Sequence, residues 1–189
     1  MPGRPAFRSL ADIVRNGYCL SCGLCTQLVE PGTITMALTR DQQLRPWAHR
    51  ALSVDEEARI VRLCPGVSLR GPMSDRVEEE EEDDYDGGER EEPVWGHVVA
   101  TYEGWAADEP TRHAASAGGV MTAVNRYLLE SGRAAFILQV RAGGDDALSS
   151  APCLVRDPDE LLTGSASRYA PSAPLTAVTE ALRLSLIHI

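Results

Sequence analysis

Between Asp75 and Glu92 the chain carries twelve acidic side chains and two arginines, and this run limits what the rest can fold into. Like charges at that density repel one another, and the segment offers too little apolar surface to bury. It is expected to be a disordered acidic linker. It cuts the 189 residues into two stretches, each of which needs its own source of stability. The whole net charge of −10 also lies there, since the other residues hold 16 acidic and 16 basic side chains. All 18 basic residues are arginine, and they form no basic stripe of the kind that follows a phosphate backbone. Nucleic acid is therefore not expected as a partner. With 43% hydrophobic and 24% charged residues, wholesale disorder is excluded. No apolar run approaches the roughly 18 residues of a membrane span, and no signal-peptide core is present. A cytoplasmic location is the expectation.

The periodicities sort the chain into four parts. Residues 1–74 begin with a short helical pattern (Phe7, Leu10, Ile13, Val14), followed by a cysteine cluster and a strand from Thr33 to Leu38. A helix then starts after Ser53, where Glu56 three residues on completes a capping-box pattern, and it stops at Cys64-Pro65. Residues 75–92 are the acidic linker. Residues 93–184 read as strand (Val94–Tyr102), helix (Gly118–Glu130) and strand (Ala134–Val140), the last nearly continuous in apolar character and so expected to be buried on both faces. A further strand at Cys153–Val155, a short helix after Asp157 and a last helix over Leu175–Leu184 complete a layered α/β pattern. Ser116 is expected to cap the Gly118–Glu130 helix, with Gly132 at its stop. Residues 185–189 form an atypical tail.

Cys19-Leu-Ser-Cys22-Gly-Leu-Cys25 is C-x2-C-x2-C, and Cys64-Pro65 follows at a distance. Three thiolates so spaced can hold three corners of an iron–sulfur cube, and a remote cysteine before proline can hold the fourth. Gly23 lets the loop bend without a Cβ clash. Soft thiolates also suit zinc, although structural zinc more often shows two C-x2-C knuckles. A disulfide framework is disfavoured in a reducing compartment. Four well-placed cysteines point to one 4Fe-4S cluster, with Cys153 left over as apolar filler.

Ala115-Ser-Ala-Gly-Gly-Val-Met-Thr122 leads into an amphipathic helix, and its backbone N–H groups with the helix dipole form an anion site suited to a phosphate or a flavin edge. Taken alone, an ordinary helix cap explains it as well. Ser165-Ala-Ser-Arg-Tyr169 is a second polar knot, with an arginine for phosphate and an aromatic for stacking.

In this order, Cys-x2-Cys-Gly-x-Cys, Cys-Pro, Ala-Ser-Ala-Gly-Gly-Val-x-Thr, Leu-Leu-Glu-Ser-Gly and Ser-Arg-Tyr, the chain resembles the beta-subunit family of coenzyme F420 hydrogenases and dehydrogenases. That family includes F420-dependent reductases and hydroxymethyl-chlorophyll a reductases. The resemblance implies an α+β or α/β chain, with a small ferredoxin-like iron–sulfur region followed by a layered α/β flavin-binding region. It implies an oxidoreductase that passes electrons between FAD and a 4Fe-4S cluster, with coenzyme F420 as a hydride partner. A redox partner protein or catalytic subunit, ferredoxin- or hydrogenase/dehydrogenase-like, would take the electrons. Carried over, Cys19, Cys22, Cys25 and Cys64 would hold the cluster. Ser116, Gly118, Gly119 and Thr122 would line the flavin, with Ser167, Arg168 and Tyr169 as a second contact set. Ala117 stands where the family has a second serine, and Ala166 where it has glycine. Relatives continue into a Gly-x-Pro-Cys region absent here, so a C-terminally truncated member is expected.

Two readings of other classes stay open: a non-enzymatic ferredoxin-like electron carrier or inactive fragment, and a structural-zinc interaction module. His49, His97, His113 and His188 are read as surface or capping residues, although His113 lies near enough to Ser116 to face a flavin. Trp47, Trp95 and Trp105 are expected to be packing residues.

Overall fold

A computed structural model describes residues 7–69, 90–92, 96–98, 100–143 and 146–186 of the chain. Most of the acidic run and the end of the tail, with His188, lie outside the described residues, as does Trp95.

The first stretch builds two short helices and a hairpin around one apolar centre. Helix α1 (Leu10–Arg15) starts at Ser9, whose hydroxyl accepts from the Asp12 N–H. Strand β1 (Ile34–Leu38) pairs antiparallel with β2 (Leu44–Ala48), a strand the sequence pattern does not announce because Pro46 sits in its middle. Helix α2 (Val54–Leu63) has the expected capping box, with Ser53 and Glu56 exchanging hydrogen bonds, and Cys64 is its C-cap. Leu10, Ile13, Ile34 and Ile60 close the core, with Ile13 and Ile60 each 1% exposed. Full burial of one such side chain contributes about 1.5–3 kcal/mol. Glu57 of α2 ties the two helices by accepting from the Leu10 N–H at 2.6 Å. That bond satisfies a donor the start of α1 would leave free.

The second stretch departs from the layered α/β expectation. Strand β3 (Arg90–Glu92) pairs antiparallel with β4 (Gly96–Val98), so the last three residues of the acidic run form a strand. Of the predicted strand over Val94–Tyr102, Gly96–Val98 is strand, while Val94, Trp95 and Val99 lie outside the described residues. Helices α3 (Glu109–Ala114) and α4 (Val120–Glu130) follow, then the hairpin β5 (Ile137–Gly143) and β6 (Asp146–Val155). A 3-10 segment (Pro158–Gly164), a 3-10 turn (Pro174–Ala177) and helix α5 (Val178–Leu186) complete the described residues.

Among the described residues the three sheets are all two-stranded and antiparallel, so the class is α+β. Strand β5 has a single strand neighbour and is half-exposed, not buried on both faces. An apolar run of that length does not distinguish a central strand from one arm of a hairpin. Trp47 and Trp105 also overturn their packing assignment, being 63% and 64% exposed. No helix among the described residues is long and apolar enough to cross a membrane.

Candidate functional site

The cysteine loop follows α1 directly. Ser21 and Gly23 both take left-handed backbone, with φ of 60° and 83°. Gly23 opens the 3-10 turn Leu24–Gln27. A side chain at Gly23 would also collide with its neighbours, because a Cβ there would lie 2.6 Å from Thr176 Cγ2. Cys64 arrives from the end of α2. Its approach depends on Gly66, where a Cβ would collide with the Tyr18 carbonyl oxygen. The turn after α2 thus lies directly on the backbone that leads into Cys19.

These two approaches bring all four predicted cysteines to one pocket. Cys19, Cys22, Cys25 and Cys64 line it, with Leu10, Ile13, Leu28, Met36 and Ile60 among its apolar walls. Cys19, Cys25 and Cys64 pack against the core itself. Burial pushes the Cys25 thiol up to about 12, reinforced by Cys19, Cys22 and Cys64. Burial raises Cys22 as well; the Leu24 backbone N–H opposes it, while Cys64 and Cys19 add to it. Bare thiolates are therefore disfavoured here, from lost hydration and from mutual repulsion. Bound metal cations would remove both penalties, which is the chemistry of a soft-metal site. Among the described residues no group of three or more His, Cys, Asp or Glu side chains is placed to hold a metal ion. The structure thus presents four thiols lining one pocket and not a coordination shell. Their donor chemistry and apolar surroundings fit a thiolate-held cluster.

Arg45 on β2 completes the surroundings of the loop. Its Nη1 donates to Ser21 Oγ at 2.5 Å and its Nη2 to Gln43 Oε1 at 2.5 Å. Sequence reasoning missed Arg45 and Gly66, because each acts through a neighbour distant in the chain. The C-terminal end of the Cys-Pro-Gly triplet was the one available signal.

The predicted flavin residues gather around the start of α4. Ala117, Gly118 and Gly119 carry consecutive positive φ values of 51°, 65° and 76°. Glycine tolerates this conformation, and alanine adopts it at a cost. Helix α4 has no side-chain cap, which leaves its first N–H groups for another acceptor. Ser116 is not the predicted cap. Its hydroxyl instead accepts from the Ser167 N–H at 2.6 Å, while its own N–H donates to the Ser165 carbonyl at 3.1 Å. The two polar knots, some fifty residues apart, are thereby joined.

Gly118 and Gly119 allow close packing, on Trp105 Cβ and on the Thr111 carbonyl respectively. Thr122 lies inside the protein at 7% exposure, whereas Tyr169 is 96% exposed. Arg168 is engaged with β6, donating from Nε to Ser150 Oγ at 3.0 Å and from Nη2 to the Ser149 carbonyl at 2.8 Å. The uncapped helix start, beside exposed Met121 and Trp105, fits an anionic or electron-rich planar group. His113 hydrogen-bonds with the Glu109 carbonyl of its own helix, and His49 with Thr35. Cys153 is half-buried on β6 opposite Gln139.

The cysteine loop touches the second stretch. The Leu175 N–H donates to the Cys22 carbonyl at 2.8 Å, and Gly23 packs on Ala173 and Thr176. Residues 101–180 match the family model for coenzyme F420 hydrogenase/dehydrogenase, beta subunit N-term. The match takes in α3, α4, the β5–β6 hairpin and the Pro174–Ala177 turn, and it does not include the cysteine loop. No curated protein matches the chain.

Proposed function

We propose that this chain, whose residues 101–180 match the N-terminal part of the coenzyme F420 hydrogenase/dehydrogenase beta subunits, is an iron–sulfur flavoprotein subunit. The family is one of oxidoreductase subunits, so a redox role and a catalytic subunit as partner follow from it. In this reading residues 1–74 form the iron–sulfur region and residues 93–184 the flavin region. Cys19, Cys22, Cys25 and Cys64 hold a 4Fe-4S cluster, and the start of α4 with Ser116, Ser167 and Arg168 holds FAD. FAD held there would supply the chemistry that links hydride exchange with coenzyme F420 to the one-electron exchange of a 4Fe-4S cluster held by the four cysteines.

The observation that carries the reading is the seam between the two regions. The backbone of the cysteine loop is hydrogen-bonded to a turn inside the family-matched segment, through Cys22 and Leu175. This chain's residues do the rest. Apolar walls surround the thiols, and Gly66 and Gly23 let the loop lie against its two neighbours. The Ser116–Ser167 bond fixes the start of α4 relative to the Arg168 loop.

The test is an anaerobic preparation of the full chain, assayed together for iron, acid-labile sulfide, zinc and flavin. Equal iron and sulfide with bound flavin are expected. Iron and sulfide without flavin would leave only an electron carrier, and zinc without sulfide would overturn the redox reading altogether.

A further inference from the structure

Arg45 is the one cation in direct hydrogen-bond contact with the cysteine loop among the described residues, and it sits there without a carboxylate partner. Its guanidinium donates to neutral oxygens only, those of Ser21, Gln43 and the Leu44 carbonyl. Among the described residues its charge forms no ion pair. Two other arginines of the first stretch do face carboxylates: Arg15 faces Asp12, and Arg50 faces Glu56 and Glu30. The residue is half-buried, so its charge is only partly screened by water.

The atom it holds is well chosen. Ser21 lies between Cys19 and Cys22, directly before Cys22, and has a left-handed backbone, φ 60°, that a non-glycine residue adopts at a cost. An interaction from outside the loop offsets that cost. Arg45 reaches Ser21 because β2 runs beside the pocket, where its next residue, Pro46, is one of the pocket walls. Four thiolates around an iron–sulfur core give a net negative centre that becomes more negative on reduction. An unpaired cation at this spot favours the reduced form and so raises the reduction potential.

We infer that Arg45 is a positioning residue that holds the Cys19–Cys25 loop through Ser21 and sets the potential of the cluster bound there. The inference rests on the iron–sulfur reading proposed above, and its test separates the two.

The experiment is a dye-mediated redox titration of the anaerobically purified full chain, followed by the electron paramagnetic resonance signal of the reduced centre. Wild type, R45Q, R45K and S21A are compared at equal iron and sulfide content. Removing the charge in R45Q should shift the oxidised-to-reduced ratio at a fixed poise on the order of tenfold toward oxidised. For one electron that is about 59 mV to more negative potential. R45K, which keeps the charge, should lie closer to wild type. S21A, which keeps the arginine but loses its anchor, should shift in the same direction as R45Q by less.

A wild-type potential in R45Q at full cluster content overturns the inference. So does a loss of iron with an unchanged potential in the remaining centres, which would leave Arg45 a purely structural role. Should R45Q fail to accumulate, an unshifted S21A overturns it. A wild-type chain without iron and sulfide overturns the proposed function itself, and this inference with it.

Discussion

The two stretches of this protein are built differently. Residues 7–69 form a small unit in which Leu10, Ile13, Ile34 and Ile60 pack on one another and the four cysteines line a pocket against that centre. In residues 100–186 the buried positions are mostly small or polar, such as Ala106, Thr111, Thr122, Ala173 and Ala181, joined by Val155 and Leu161. Large apolar side chains there face outward, including Tyr102, Trp105, Met121, Val124 and Tyr127. The first stretch makes its site from its core, so folding and metal binding should be coupled in it. The second makes its candidate site from a loop junction, Ser116 on Ser167, and from a helix start, so ligand and fold can be separated.

That contrast can be broken most directly at the cysteines. Replacing Cys22 with serine should take iron and sulfide to background while leaving bound flavin in place. Loss of both together, by metal analysis and flavin release, would show that the two stretches act as one unit.

Next in size is the shared core. Ile60→Ala should cost about 2–5 kcal/mol in a denaturant titration. Because Ile60 also walls the thiol pocket, cluster content should fall with stability.

A more selective probe is Gly66→Ala, whose new methyl would meet the Tyr18 carbonyl. We expect a stability loss of about 1–3 kcal/mol, a drop in iron, and unchanged flavin. In the other stretch, Ser116→Ala removes one hydrogen bond and should cost about 1 kcal/mol, while weakening flavin retention and leaving iron unaffected. Unchanged flavin affinity in that variant, by fluorescence titration, would detach Ser116 from the site.

The smallest effect concerns pH. The Arg50 hydrogen bond, aided by the Ser53 backbone N–H, draws the Glu56 carboxyl from an ordinary value of 4.5 down to about 2. A depressed carboxyl stabilises the fold above its unfolded value and loses that contribution as pH falls through its folded value. The stability difference between wild type and Glu56→Gln should therefore be full above about pH 4.5 and fade toward pH 2. A difference that does not change with pH would mean the capping box works without its charge.

Much of the first stretch was legible in the sequence. Ser53 with Glu56 marked the start of α2, Cys64-Pro65 marked its end, and the C-x2-C-x2-C spacing marked the loop. These are local signals, each carried by residues within one turn of the feature they specify. Strand β2 escaped notice because Pro46 interrupts its pattern, and the pairing that makes it a strand lies across β1. The second stretch read less well. The apolar run at Ala134–Val140 looked like a central strand, and only its pairing with β6 reveals a hairpin arm. Ser116 had the sequence of a cap, yet a donor fifty-one positions away, the Ser167 N–H, claims its oxygen.

The sequence by itself determined the four thiols and their grouping, the caps of α2, the glycines at the start of α4, and the place of the acidic charge. All of these depend on side-chain chemistry and short spacing. Tertiary structure alone decided that Gly66 sits on Tyr18, that Arg45 reaches Ser21, and that the Cys22 carbonyl meets Leu175. Such close approaches arise where separate elements pack together, and packing distances are not written in the order of residues along a chain.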